Sequence, residues 1–290
     1  MIVAVPPGGP ADTLARMVGP RLSEALGQPV VIDNRPGANG NIAYEMAARA
    51  APDGYTFVLV AAGVAINPSL YRQVRFDPVK DFAPITEGIA VPNILIVHPA
   101  VPANSVKELI ALAKARPGKL AFASAGSGSS GHLALEAFKH VAAIDVIHVP
   151  YKGGGPALTD VIAGQVQALF SLALVAVPQV KAGKVRALAI TSLKRNSALP
   201  DVPTLDEIGL KGYEVTSWFG LVTRAGTPRE SVMRLNTALN NASRNPKLRE
   251  ILESRGADVV QGTPEDFLAF VKNETAKFAP VIQRTGVQVE

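Results

Sequence analysis

The chain has 290 residues, 48% of them hydrophobic and 18% charged, a composition that excludes a disordered chain and leaves room for two domains. The net charge of +5 comes from scattered lysines and arginines rather than from a basic run, so no nucleic-acid partner is expected. The absence of cysteine excludes disulfides and thiolate chemistry, and no apolar stretch approaches the roughly 20 residues that span a bilayer, so no membrane insertion is expected.

The first part of the chain alternates apolar runs with helical patterns. Strands are predicted at 2–5, 29–34 and 55–61. Helices follow the first two strands; Pro20 should kink the first helix, and the second is predicted at 41–51. This β-α-β-α-β order indicates a parallel sheet with helices on both faces.

The same rhythm restarts after residue 99. A capped helix is predicted at 105–118, and further helices from about Ser129 and from Pro156. Strands are predicted at 119–124, 145–151, 167–173 and 185–191, and a second crossing of the chain at 216–228. Helices dominate the remainder, with capping boxes predicted at Thr227/Glu230 and Thr263/Asp266. We therefore predict two α/β lobes, 1–99 with 223–290 and 100–222, joined by a hinge with a ligand cleft between them.

Two stretches repeat one local pattern, VPPGGPADTLAR from Val5 and YKGGGPALTDV from Tyr151. In each, an apolar run is followed by paired glycines, a proline and a helical pattern. A third loop, Ser124–His132 (SAGSGSSGH), adds four serine hydroxyls. Ligands of parallel sheets bind beyond the carboxyl ends of the strands, where helix N-termini present unpaired N–H groups. We expect these loops to hold a carboxylate or phosphate; the alternative is that they are ordinary tight turns.

Other kinds of site fit the sequence less well. GSGSSG at 126–131 matches a dinucleotide-binding loop, but the next predicted strand ends in Val149, Pro150 and Tyr151 instead of an acidic residue. There is no nucleophile elbow, and the four histidines lack partners at metal-ligand spacing, so no catalytic residue, metal or cofactor is expected. His132 either donates to a bound anion or packs structurally, and Asp12 is expected to complement the dipole of its own helix.

Eight stretches, in order along the whole chain, resemble the pattern of one known family. They are PPGGPADTLAR, LSEALGQPVVIDNRPGANGNIA, APDGYTFVL, INPSLY, DPVKDFAPI, HVPYKGGGPALTDVIAGQV, ALPDVPTLDEIGL and SWFGLVTRAGTP. The chain thus resembles the substrate-binding proteins of tripartite tricarboxylate transporters, the Bug family of periplasmic solute-binding proteins. The resemblance implies a type II-like, two-lobed periplasmic-binding-protein fold, each lobe a mostly parallel sheet flanked by helices, that closes on its ligand like a Venus flytrap.

The resemblance also implies which residues bind the ligand. By position, these are Val5, Pro7, Gly8, Gly9 and Asp12 in the first glycine loop (residues 5–12), and Ser124, Gly126, Ser127, Ser129 and His132 in the serine loop (residues 124–132). Ala62, Gly63 and Asn67 match the loop before INPSLY, and Tyr151, Lys152 and Gly153 match a later strand end. Ser171 stands where the family frequently has aspartate.

The chain departs from the family pattern in ways that bear on the ligand. Val5 replaces a common phenylalanine, and AAGVAIN lacks the polar or histidine residue often found before AIN. Without an acidic group at Ser171, the site should favour a second negative charge over an amino group. We therefore expect a dicarboxylate or an aromatic carboxylate rather than aspartate or glutamate.

The resemblance implies a monomeric extracytoplasmic protein that delivers its organic acid to the membrane permease subunits of the transporter. The resemblance implies a periplasmic location. The opening MIVAVPPGG has no basic segment or cleavage site, so a leader is expected to lie outside this sequence. Two alternatives stay open: a nucleotide-dependent enzyme that uses the GSGSSG loop, and a ligand sensor that contacts a regulatory partner.

Overall fold

The computed structural model describes residues 1–285, with side chains described to residue 277. Within this range the chain is mixed α/β, as predicted, with ten strands and ten α-helices. The strands are β1 Ile2–Val3, β2 Asp33–Asn34, β3 Phe57–Ala61, β4 Phe82–Val97, β5 Ala121–Ser124, β6 Ile147–Pro150, β7 Ala168–Leu172, β8 Arg186–Ile190, β9 Thr216–Arg224 and β10 Asp258–Val259. The helices are α1 Pro10–Leu26, α2 Asn41–Ala48, α3 Gly63–Leu70, α4 Val106–Ala115, α5 Ser130–Ala142, α6 Gly154–Ile162, α7 Ala173–Lys181, α8 Arg229–Ser243, α9 Pro246–Ser254 and α10 Pro264–Thr285. None of the described helices combines the length and the apolar character that crossing a bilayer requires.

The chain divides into two compact units. The first comprises Met1–Ala90, Trp218–Glu250 and the residues from Val259 on; the second comprises Val91–Ser217 and Ile251–Asp258. The chain therefore passes from the first unit to the second within β4 and returns within β9. The division into two lobes with a cleft, and the lobe boundaries at 99/100 and 222/223, stay a prediction. Residues 286–290, which belong to the first predicted lobe, lie outside the described residues.

The first unit contains a sheet in the order β2-β1-β3-β9. β1 pairs in parallel with β2 and β3, as predicted, and β9 joins β3 in the antiparallel direction. The strand predicted at 29–34 forms only at its end, because the partner strand β1 begins at Ile2, which pairs with Asp33. The helix α1 continues through Pro20. The core of this unit includes Trp218, which packs edge-on against Phe267 with ring centroids 5.6 Å apart.

The sheet of the second unit places the ends of three parallel strands at one edge. β7, β5 and β6 are parallel neighbours, whereas β4 is antiparallel to both β7 and β8. β5 and β7 are short, largely buried apolar runs, which is typical of parallel strands covered on both faces. Because parallel strands end at the same edge, the loops that follow Ser124 of β5 and Pro150 of β6 lie side by side, next to the end of β7, where α7 begins directly after Leu172.

Two predicted capping boxes had different outcomes. Thr263 and Asp266 exchange hydrogen bonds at the start of α10, with each side chain accepting the other residue's backbone N–H. The box predicted at Thr227 and Glu230 is wrong, because the residue before α8 is Pro228. Thr227 instead donates its hydroxyl to the carbonyl of Arg224 at 2.8 Å, which closes the turn after β9.

Candidate functional site

The serine loop joins β5 to α5 in the second unit. Ser129 is the N-cap of α5, and its Oγ accepts the backbone N–H of His132 at 3.2 Å. Gly126 and Gly128 have φ values of +126° and +79°, which glycine adopts without the clash that a Cβ would cause. The loop therefore turns sharply, and α5 begins at the carboxyl edge of the sheet with its first N–H groups unpaired by the helix.

The segment after β6 is hydrogen bonded to the serine loop. The Tyr151 N–H donates to the carbonyl of Ser124 and the Gly153 N–H donates to the carbonyl of Ala125, both at 3.1 Å. Gly126 also lies against this segment, because a Cβ placed on it would be 3.0 Å from the carbonyl oxygen of Tyr151. The structure thus brings together the predicted residues of the serine loop and of the Tyr151–Gly153 stretch.

The remaining predicted residues of the second unit differ in their exposure. Lys152 is exposed, and Ser171 is buried in β7, paired with Ile94 of β4. The Tyr151 hydroxyl donates to Asp160 at 2.6 Å, and this bond to a carboxylate raises the pKa of Tyr151 to about 12. Tyr151 is therefore protonated across the physiological range, and its hydroxyl proton is engaged by α6.

His132 and His148 form a stacked pair beside the serine loop. Their ring centroids are 4.2 Å apart with an interplanar angle of 16°. His132 Nδ1 accepts the N–H of Gly128 at 3.1 Å, and His148 Nε2 lies 2.6 Å from Ser124 Oγ. Burial lowers the pKa of His132 below its usual range. Burial, followed by repulsion from His132, lowers the pKa of His148 to about 4, so both rings are neutral at pH 7.

The short contact between Ser124 and His148 resembles the serine–histidine pair of hydrolases, but its surroundings differ. Ser124 is fully buried, and its Oγ also accepts the N–H of Gly126 at 3.1 Å. This hydroxyl therefore links β5, β6 and the turn of the serine loop. Ser127, by contrast, is partly exposed, and among the described residues its hydroxyl has no hydrogen-bond partner.

In the first unit, Asp12 organises the first glycine loop. Its Oδ2 accepts the Gly8 N–H and Arg16 Nε, its Oδ1 accepts Asn34 Nδ2, and all three distances are 2.9 Å. Burial alone would raise the pKa of this carboxyl, but the hydrogen bonds from Arg16, Gly8 and Asn34 together outweigh burial and hold the pKa below its usual value. Asn34 also donates to the carbonyl of Val5 at 3.0 Å, so β2 fixes both ends of the loop.

The two glycine repeats are not structurally equivalent. α1 begins at Pro10, and the positive φ of +83° lies at Gly8, whereas Gly9 has a φ of −73°. α6 begins at Gly154, two residues before the predicted start at Pro156, because the preceding residue is already tied to the serine loop. Proline is thus the first residue of α1 but the third residue of α6. Pro7 is exposed at the tip of the first glycine loop.

The start of α3 packs against a segment that the sequence analysis did not assign to the site. Asn67 is fully buried; its Nδ2 donates to the carbonyl of Asn39 at 3.0 Å and to Asn41 Oδ1 at 2.6 Å. A Cβ on Gly63 would lie 3.0 Å from the same Asn39 carbonyl, so the absence of a side chain permits this approach. Ala62 is buried at the N-cap of α3.

The segment 37–40 has an unusual backbone. Four consecutive residues have positive φ, at +132° for Gly37, +47° for Ala38, +51° for Asn39 and +94° for Gly40. Left-handed conformations of non-glycine residues cost on the order of 1–3 kcal/mol each and persist where the surroundings enforce them, often at functional sites. The glycine- and asparagine-rich sequence NRPGANGN was the available signal for this segment and for Asn34, Asn39 and Asn41.

Removal of the Ser129 cap tests how the serine loop is held. Ser129→Ala should lower the free energy of unfolding by about 1 kcal/mol, because the N–H of His132 loses its acceptor. Ser105→Ala is the matched control, since Ser105 caps α4 with the same 3.2 Å bond, to Glu108, away from the loop. Urea denaturation should give similar losses for both variants, and only Ser129→Ala should shift the amide resonances of Gly126 and Gly128. If Ser129→Ala changed neither the free energy of unfolding nor these amide resonances, the cap would not hold the loop.

Comparison with known proteins agrees with this architecture. The sequence matches the profile described as "Tripartite tricarboxylate transporter family receptor" over residues 14–287. Among solved structures, it is similar to R. palustris Rpa4515 with adipate, with 38% identity, a TM-score of 0.94, and coverage of 98% of this chain and 96% of that one. It is also similar to the periplasmic binding protein BugD, with 36% identity, a TM-score of 0.95, and coverage of 100% and 98%.

A third similar structure is MatC from Rhodopseudomonas palustris with bound malate, with 33% identity and a TM-score of 0.89 over 97% of this chain and 98% of that chain. These likenesses extend over nearly the whole of each protein. They confirm the family resemblance and the periplasmic-binding-protein fold predicted from the sequence. The chain therefore belongs to the tripartite tricarboxylate transporter receptor family, that of the Bug solute-binding proteins.

Proposed function

We propose that this chain is an extracytoplasmic solute-binding protein that captures a small dicarboxylate or aromatic carboxylate and delivers it, unchanged, to the permease of a tripartite tricarboxylate-type transporter in the periplasm. One observation carries the substrate class: two similar structures hold dicarboxylates, adipate in Rpa4515 and malate in MatC. The family is one of receptors, which supports binding without catalysis.

Neutral hydrogen-bond donors support carboxylate binding in the second unit. The hydroxyl of Ser127 has no partner among the described residues, and the first N–H groups of α5 point out of the helix at the same loop. Such donors bind an anion through charge-assisted hydrogen bonds, each worth roughly 1.5–3 kcal/mol. The positive end of the helix dipole adds to this attraction.

The choice among organic acids is supported by Ser171. This serine is buried in β7, and neither β5 nor β7 carries an ionisable side chain. An amino group brought to this edge of the sheet would find no carboxylate from those two strands to neutralise it. An unpaired charge in a desolvated site costs several kcal/mol, so aspartate and glutamate should bind more weakly than dicarboxylates without an amino group.

A thermal-shift screen with adipate, malate, benzoate, aspartate and glutamate tests the proposal. At 100 times its Kd, a ligand adds about 2.7 kcal/mol of stability, which should raise Tm by roughly 5–10 °C for a chain of this size. We expect at least one of the first three acids to give such a shift and the two amino acids to give little.

Calorimetry should then give a 1:1 stoichiometry, and mass spectrometry should recover the acid unchanged. Absence of a shift with every carboxylate would refute the proposed substrate class. Turnover of a bound acid that is lost in His132→Leu would instead show that the protein is an enzyme.

A further inference from the structure

We infer that the stacked pair His132–His148 positions the serine loop only while the His132 ring is neutral, so that acidification releases the loop and weakens carboxylate binding. The inference rests on the proposed function for its consequence on binding. Its structural part, the hold of the pair on the loop, concerns the second unit alone. On this view His132 is a positioning residue rather than a ligand contact.

The hydrogen bonds of His132 assign its proton. Because Nδ1 accepts the N–H of Gly128, Nδ1 carries the lone pair, and in the neutral ring the proton is on Nε2. Nε2 lies on the side of Glu136, 3.9 Å from Oε1. The only nitrogen that can take up a second proton is therefore Nδ1. Protonation there replaces an acceptor with a donor and breaks the bond to Gly128.

The second ring of the pair, that of His148, also contacts the serine loop. His148 Nε2 is within hydrogen-bond distance of Ser124 Oγ, and that oxygen also accepts the N–H of Gly126. The pair thus contacts the serine loop at two points, the N–H of Gly128 and the Oγ of Ser124, and Ser124 in turn holds Gly126. Gly126 and Gly128 have positive φ, and glycine adopts positive and negative φ about equally readily, so without these contacts the loop backbone would not be confined to this one conformation.

The charges around the pair come from one helix. Glu136 and Lys139 of α5 act on both rings, with opposite signs, and they are paired with each other at 2.9 Å. β5 and β7 carry no ionisable side chain, and Asp160 of α6 accepts the Tyr151 hydroxyl. Burial therefore dominates, and a proton on one ring disfavours a proton on the other across the 4.2 Å stack.

The experiment compares two substitutions of His132. In His132→Asn, the side-chain oxygen takes the place of Nδ1 as acceptor for Gly128 and does not titrate; His132→Leu provides no acceptor. His140→Asn is the control, because His140 is exposed on the same helix. The Kd of adipate, and of malate, is measured at pH 7.5 and pH 4.5. The ratio of the wild-type Kd to that of His132→Asn cancels the protonation of the ligand itself.

We expect this ratio to rise as the pH falls from 7.5 to 4.5. At pH 7.5 His132→Leu should bind at least tenfold more weakly than His132→Asn, and His140→Asn should match the wild type at both pH values. A ratio that does not change with pH, or a His132→Leu variant that binds as well as His132→Asn, overturns the inference.

A ligand-free measurement separates this inference from the proposed function. The amide resonance of Gly128 should titrate between pH 7.5 and pH 4.5 in the wild type and stay constant in His132→Asn. If the amide titrates but neither acid binds at pH 7.5, the positioning role stands and the proposed substrate class fails. If the amide does not titrate, the positioning role fails whatever the protein binds.

Discussion

Gly131→Ala should destabilise the protein by about 3 kcal/mol and lower Tm by roughly 6–12 °C. Gly131 lies in the first turn of α5, where the helix packs directly on β7, and an added Cβ would overlap the carbonyl oxygen of Phe170. That oxygen belongs to the backbone of a buried strand, so it has no room to retreat. The clash should push α5 and the serine loop away from the sheet.

Gly155→Ala is the matched control for this prediction. Gly155 lies in the first turn of α6, the helix after the neighbouring strand, and a Cβ there would meet nothing within 4 Å. Alanine favours a helix over glycine by up to about 1 kcal/mol, so this variant should be as stable as the parent or slightly more stable. Equal melting temperatures for the two variants would show that α5 does not pack on β7 as closely as described.

Asp12→Asn should cost about 2–3 kcal/mol at pH 7, the second-largest effect that we expect. The substitution keeps the shape of the side chain but turns one acceptor oxygen into a donor that faces the N–H of Gly8 and the guanidinium of Arg16. Asp12 is itself buried, so the new amide group faces two donors without an acceptor of its own, away from water. Glu24→Gln, an exposed change of the same type on α1, should be nearly neutral.

The pH dependence gives Asp12→Asn a second signature. The folded-state pKa of Asp12 is lowered, so its carboxylate stabilises the fold fully above the unfolded-state pKa of about 3.9. That contribution is lost as the pH falls through the lower folded-state pKa. The stability difference between parent and variant should therefore be constant from pH 7 to pH 5 and shrink below pH 4. Urea titrations across this range measure it, and a constant difference down to pH 3 would contradict the assignment.

Much of the fold follows from local sequence patterns. The alternation of apolar runs and helical periodicity predicted a mixed α/β chain, because buried strands and amphipathic helices impose different spacings on their apolar residues. The cap of the helix that begins after Ser105 and the reciprocal cap of Thr263 and Asp266 were also predicted, since both devices act within four residues. The family resemblance rests on such short motifs repeated in order.

What the sequence by itself determined is therefore the set of elements, the family and the loops that carry small and hydroxyl residues. Tertiary structure decided the rest, because it depends on partners distant in sequence: β2 is short because β1 begins late, and Asp12 meets Asn34 across 22 residues. His148 lies 24 residues from Ser124, and Asn67 lies 28 from Asn39. A single sequence displays no such pairs, since hydrogen bonds between distant residues leave no local periodicity, and only the packed sheet brings them together.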